Sequence, residues 1–176
     1  MTFVDRFDQR VDELLERGRG NHTLDTVFTT ASELGDFSVV WQLVNAARGV
    51  AGGRHATDQS FVFAALLGAE SLLVNQGIKR LVDRERPTVG GDPRLRVRTP
   101  STSSFPSGHA SAAFFAASVL TAMGPRRCAP LWFGLAGVVA TSRVYVRIHH
   151  ASDVVGGAAV GLALGAVVRR SGMLRR

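Results

Sequence analysis

Apolar and polar positions follow two different patterns along this chain. Between residues 3 and 17, Phe3, Phe7, Val11, Leu14 and Leu15 recur at helical spacing among Asp, Glu and Arg, which predicts a short amphipathic helix. Gly18 and Gly20 would end it. Such a helix either packs its stripe on a domain surface or lies in a membrane interface, with its apolar side toward lipid and its arginines toward headgroups. A second helical region is expected from about Leu24 to Ala47, broken near Gly35.

Four later stretches are of another kind: residues 61–74 (FVFAALLGAESLLV), 110–123 (ASAAFFAASVLTAM), 128–142 (CAPLWFGLAGVVATS) and 154–168 (VVGGAAVGLALGAVV). Each is nearly free of charge all round, with Glu70 the exception. Strand alternation is absent and Ala and Leu dominate, so helices are predicted. These cores are 14–15 residues long, whereas a spanning helix needs about 20. Flanking residues extend them to Gln59–Ile78, Gly108–Gly124, Pro130–Ile148 and Ser152–Arg169. Four nearly uncharged helices leave little amphipathic surface to face water, which favours a membrane bundle over a soluble all-α core. Gly157, Gly161 and Gly165, spaced by four, lie on one face of the last helix and predict close helix packing.

The length of 176 residues leaves room for one ordinary domain, taken here as residues 1–176. Mean hydropathy is +0.11, low for a membrane protein. Twenty-one basic against fourteen acidic residues give a net charge of +7, and every basic residue except Lys79 is arginine. That balance suits nucleic acid, anionic lipid or a phosphorylated substrate. A single cysteine, Cys128, excludes an internal disulfide and a cysteine metal cluster. The first twenty residues lack an apolar h-region, so a cleavable signal peptide is not expected.

Polar groups gather at three helix ends: Lys79–Pro87, Ser103–Ala110 and Ser142–Asp153. In a hairpin-connected bundle these ends share one face, with loops 48–58 and 124–129 opposite. Here the chain resembles the type 2 phosphatidic acid phosphatase (PAP2) family, which also contains vanadium haloperoxidases. The family's first motif, Lys-x6-Arg-Pro, is matched by Lys79, Arg86 and Pro87. Its second, Pro-Ser-Gly-His, is matched by Pro106, Ser107, Gly108 and His109. Its third, Ser-Arg-x5-His-x3-Asp, is matched by Ser142, Arg143, His149 and Asp153. The resemblance implies an all-α, compact transmembrane bundle of that type, with about five spans plus the amphipathic N-terminal helix of residues 1–20, and catalytic motifs within residues 79–153.

The residue types fit phosphoryl transfer. Charge spreads over the equatorial oxygens during transfer and needs cationic donors, which Lys79, Arg86 and Arg143 can supply. Ser107 and Gly108 precede an apolar helix, whose N-terminus favours an anion, although an ordinary helix cap is the competing account. Asp153 lies four residues after His149, which on a helix places both on one face and lets the carboxylate accept from the imidazole. His149 is then the nucleophile that forms a phosphohistidine. The resemblance gives His109 the role of protonating the leaving oxygen and then activating water. His150 would point elsewhere. No metal and no cofactor are implied, because the cations take the part of a metal clamp.

The expected substrate is a lipid-linked phosphate at headgroup level. The compact, Arg-rich sequence is similar to actinobacterial members, one of whose activities removes the 5-phosphate from decaprenylphosphoryl phosphoribose during cell-wall arabinan precursor synthesis. Polyprenyl diphosphate, phosphatidate and phosphatidylglycerol phosphate are the alternatives. The haloperoxidase reading is disfavoured by the small, apolar chain. A nucleic-acid module could use Arg80, Arg84, Arg94, Arg96 and Arg98, but no aromatic platform lies beside them and the apolar helices would go unexplained. In the five-span arrangement the catalytic face carries ten basic residues besides the three phosphate ligands, against eight opposite, which leans toward a cytoplasmic catalytic face.

Overall fold

The structure, a computed structural model, describes residues 1–87, 95, 97–98 and 102–175. Arg94, Arg96 and Arg176, counted above among the basic residues, lie outside the described residues. Helix α1 (Phe3–Glu16) opens on a capping box: Thr2 Oγ1 accepts from the Asp5 amide at 3.1 Å, and Asp5 Oδ2 accepts from the Thr2 amide at 2.7 Å. Helix α2 (His22–Gly35) is capped by the Asn21 side chain. It ends at the expected break, where residues 36–38 turn with Phe37 and Ser38 at φ 52° and 59° before α3 (Val39–Ala51).

Helix α4 (Gly53–Leu72) follows α3 after Gly52 alone, so the loop expected over residues 48–58 is a tight turn between two helices. Its polar residues read as loop because their partners lie on the neighbouring helix. Asn45 Nδ2 donates to the Ser60 carbonyl at 2.9 Å, and Thr57 Oγ1 to the Gly49 carbonyl at 3.1 Å. Past Leu72 the helix continues through a π turn and a 3₁₀ turn, making one helical stretch Gly53–Arg80 with Lys79 in its last turn.

Helix α5 (Gly108–Met123) is central, with α4, α6 (Ala129–Tyr145) and α7 (Ala151–Arg170) packed around it. Ala110–Ala113 and Phe115–Leu120 are buried on every side, which is why α5 shows no amphipathic period. Trp41, Phe63, Leu67, Phe115, Leu120 and Val139 build the core around it. The three α7 glycines face α5 as expected. An added Cβ at Gly161 would lie 2.1 Å from the Ser111 carbonyl oxygen, so the two backbones meet there without side chains between them.

Among the described residues, Gly53–Arg80 and Ala151–Arg170 are long and apolar enough to cross a membrane, and α5 is a shorter apolar helix. Only 22% and 33% of the apolar windows of those two stretches are buried. Outward-facing apolar surface of that extent points to lipid rather than to a buried core helix.

Candidate active site

The three polar clusters meet at one end of the bundle. Residues 82–86 run beside residues 102–105: the Ser104 amide donates to the Arg84 carbonyl at 2.9 Å, and Ser103 Oγ to the Val82 carbonyl at 2.6 Å. Lys79, Gly108, His109 and His149 line a cavity of about 450 Å³. Asp36 and Asn75 line it as well.

His149 is 2% exposed. Its Nε2 lies 3.2 Å from Arg86 Nη1, and a guanidinium can only donate, so Nε2 is the acceptor and Nδ1 carries the hydrogen. Burial pushes the imidazole down to about 3, helped by the charges of Arg86, Arg143 and Lys79, despite the neighbouring Asp153. The side chain is therefore neutral at physiological pH, with its Nε2 lone pair directed toward Arg86.

The link to Asp153 differs from expectation. His149 and Asp153 do not share a helix face, because α7 begins at Ala151 and His149 belongs to the preceding turn. Nδ1 stands 3.6 Å from Asp153 Oδ2, beyond hydrogen-bond distance, and 3.4 Å from Ser104 Oγ. Ser104 Oγ donates to Asp153 Oδ2 at 2.5 Å, so this hydroxyl stands between imidazole and carboxylate. The same Oδ2 accepts from the His150 amide at 2.8 Å, while Oδ1 accepts from Arg84 Nη1 at 2.5 Å. His150 thus contributes its backbone, as the cap of α7.

The cations surround His149 with donors to spare. Arg86 Nη1 donates to the Ile148 carbonyl at 2.7 Å and Nη2 to the Thr102 carbonyl at 3.0 Å, which leaves its buried Nε without a partner. Arg143, 1% exposed, gives Nη1 to Ser32, while its Nε and Nη2 have none. Lys79 Nζ reaches Thr102 Oγ1 at 3.4 Å. A buried donor left unpaired costs about 1–3 kcal/mol, more when charged, and a bound anion would relieve three such donors at once. Ser107 caps α5, its Oγ accepting from the Ala110 amide at 3.4 Å, and its own amide donates to the Asp153 carbonyl at 3.0 Å. That oxygen caps α5 while the O–H remains a donor, and Ser107 also ties α5 to α7.

His109 has a partner that no motif announces. Its Nε2 lies 2.9 Å from Asp36 Oδ1, on the turn between α2 and α3. Burial raises the Asp36 carboxyl, but the bond to His109 and the charges of His109, Arg143 and Arg98 outweigh this and hold it below its ordinary value. The only trace of Asp36 in the sequence was the break near Gly35. Ser104 and Arg84 stood inside the polar clusters but off the motif positions. Asp36→Asn is expected to keep the fold and lower kcat about 10- to 100-fold by loosening the ring, as steady-state kinetics on the purified variant would read.

The depressed His149 value also makes a stability prediction. Unfolded, the ring titrates near 6.5; folded, near 3. Between those values the unfolded chain holds the extra proton, so stability rises with pH and is lost as pH falls through this window. The limiting slope for one group is about 1.4 kcal/mol per pH unit. Thermal melts in detergent should show Tm dropping below pH 6.5, with a shallower drop in His149→Gln.

An all-helical bundle that gathers two histidines, a carboxylate and unpaired cations at one end has the architecture of a PAP2-type phosphatase. Residues 59–175 match the PAP2 superfamily, and the chain belongs to that family. It is 34% identical over 139 residues to decaprenylphosphoryl-5-phosphoribose phosphatase of Mycobacterium tuberculosis strain H37Rv, covering 78% of this chain and 74% of the relative. To the protein of the same name from Mycolicibacterium smegmatis it is 36% identical over 129 residues, covering 72% and 67%. The fold is similar to the PAP2 type phosphatidylglycerolphosphate phosphatase of Bacillus subtilis, with TM-score 0.75 and 22% identity over 97% of this chain and 87% of that one. LpxE of Aquifex aeolicus gives 0.71 and 21%, over 93% and 94%.

Proposed function

We propose that this PAP2 phosphatase hydrolyses a lipid-linked phosphate monoester through a phosphohistidine on His149, and that its substrate is decaprenylphosphoryl-5-phosphoribose 5-phosphate. The observation that carries the mechanism is the set of buried, unpartnered guanidinium N–H groups of Arg86 and Arg143 beside a neutral His149 whose Nε2 is an acceptor. Bound phosphate would take those donors and Lys79, while Arg86 gives up its contact with Nε2. Nε2 then attacks phosphorus, the P–O bond to the sugar breaks, and His109 gives its proton to the departing oxygen. In the second half His109 takes a proton from water, the water oxygen bonds to phosphorus as the P–Nε2 bond breaks, and inorganic phosphate leaves with His149 neutral again.

The other assignments belong to the same reading. Asp153, through Ser104, holds the imidazolium that forms; Gly108 leaves room for the anion at the α5 N-terminus, and the Ser107 hydroxyl adds a donor to it. The cations act where a metal clamp would, so turnover persists in excess chelator, and vanadate inhibits. The chain is one domain of about five spans, with its catalytic face cytoplasmic. The mycobacterial relatives, 34% and 36% identical to this chain, support the substrate.

The test is phosphate release by protein in mild detergent with excess chelator. The panel is decaprenylphosphoryl-5-phosphoribose 5-phosphate, undecaprenyl diphosphate, phosphatidate and phosphatidylglycerol phosphate. Selective turnover of the first, with an acid-labile, base-stable phosphoprotein trapped on acid-free quenching, is the expected result. Comparable turnover of all four would keep the phosphatase and remove the substrate. Loss of activity in chelator would remove the metal-independent mechanism.

A further inference from the structure

Helix α1 turns its charged side inward. Asp8, 8% exposed, accepts from the Ser152 amide at 2.7 Å, from Ser152 Oγ at 2.8 Å and from Arg84 Nη2 at 2.7 Å. One turn further, Asp12 and Glu16 both bind Arg147, at 3.1 and 2.9 Å, and both bind Arg19, at 2.6 and 2.8 Å. Arg19 in turn donates to the Tyr145 and Val144 carbonyls at 2.8 and 3.1 Å, closing the end of α6. The bonds from Asp8, Asp12 and Glu16 to Ser152, Arg84 and Arg147 fix the rotation of α1 about its own axis.

The opposite side is what that rotation leaves outside. Phe3, Phe7 and Leu14 fall within one narrow stripe and are 78%, 38% and 61% exposed, with Val4 beside them. Arg6, Arg10 and Arg17, all exposed, follow the same edge on one flank. A helix on a water-facing surface does the reverse, burying its phenylalanines and exposing its acids. The anchoring residues Ser152, Arg84 and Arg147 also place α1 at the catalytic end of the bundle, where the apolar stretch Gly53–Arg80 ends and Ala151–Arg170 begins.

We propose that the outer edge of α1 is seated in an anionic bilayer surface, with Phe3, Phe7 and Leu14 among the upper acyl chains and Arg6, Arg10 and Arg17 on headgroup phosphates. The bilayer is the occupant because an apolar stripe and a row of arginines run side by side along one edge, which matches the layering of acyl chains and anionic headgroups. The seating fixes the depth of the cavity relative to the headgroups. Lipid phosphates then reach it by lateral movement within one leaflet.

The test uses the full chain in a Cys128→Ser background, reconstituted into vesicles. Nitroxide labels are placed at Phe7→Cys on the outer edge and at Glu13→Cys on the water side. In phosphatidylcholine–phosphatidylglycerol vesicles the label at 7 should meet oxygen in preference to a water-soluble nickel chelate, and the label at 13 the reverse. In phosphatidylcholine alone the label at 7 should move toward water. Preference for nickel at 7 in both vesicles overturns the proposal. So does protection from both reagents, which would mean a protein partner, and so does equal depth in the two lipids, which would remove the role of the arginines.

These readouts need no turnover, so their failure is separate from failure of the catalytic reading. Resting on that reading, Phe3→Ser/Phe7→Ser should raise KM for a vesicle-borne lipid phosphate at least about fivefold. Its kcat and Tm should stay unchanged, and an unchanged KM would count against the seating.

Discussion

His149→Gln should lower phosphate release by at least about 10³-fold while the bundle stays folded. Glutamine keeps a polar, uncharged side chain of similar reach but carries no nucleophilic nitrogen. The donors that would hold phosphate do not depend on the ring: Arg86 keeps the Ile148 and Thr102 carbonyls, and Arg143 keeps Ser32. Vanadate should therefore bind the variant nearly as well as the parent protein, measured by protection against thermal unfolding. That combination, binding kept and chemistry lost, separates a nucleophile from a ligand. Release within about tenfold of the parent would falsify the covalent step.

Gly161→Leu should abolish the folded state or lower Tm by well over 10 °C, at roughly 1–3 kcal/mol for ordinary overpacking and more here. The reason for the excess is that the obstacle is backbone. The added Cβ would meet the Ser111 carbonyl oxygen at 2.1 Å and the Phe115 amide nitrogen at 2.9 Å, and neither can rotate away. The helices would have to separate, and that movement reaches the site because the Ser107 amide holds the Asp153 carbonyl at 3.0 Å. Gly134→Ala is the control: nothing lies within 4 Å of a Cβ there, so Tm and activity should stay near those of the parent. A melt in detergent with light-scattering readout distinguishes the two.

Hydrophobic patterning was enough to locate every long helix. Runs such as 110–123 and 154–168 are apolar over too many consecutive residues to be anything but helices, and their boundaries moved by only a few residues. The three motif clusters were equally legible, since each places several hydrogen-bonding types at fixed spacing beside a helix end. The turn at Gly52 was not, because polar residues beside it such as Thr57 look like loop polarity until their partners on α3 are known. Arg48 shows the same: its Nη2 donates both to Gln59 and to the Met123 carbonyl, across three helices.

The sequence by itself determined the helical class, the membrane character of the apolar stretches, and which histidines, arginines and lysine gather at one end. These follow from local composition and spacing. Only the tertiary structure decided how those groups are oriented. Asp36 reaches His109 across 73 positions of chain, Ser104 stands between His149 and Asp153, and Arg84 joins Asp8 to Asp153. It also buried Asp8 of α1 and left the phenylalanines of that helix exposed, against the pattern of a water-facing helix. Each of these is a contact between segments far apart in sequence, set by how helices of fixed length pack. A residue's type states which bonds it can make, and packing states which partner is within 3 Å.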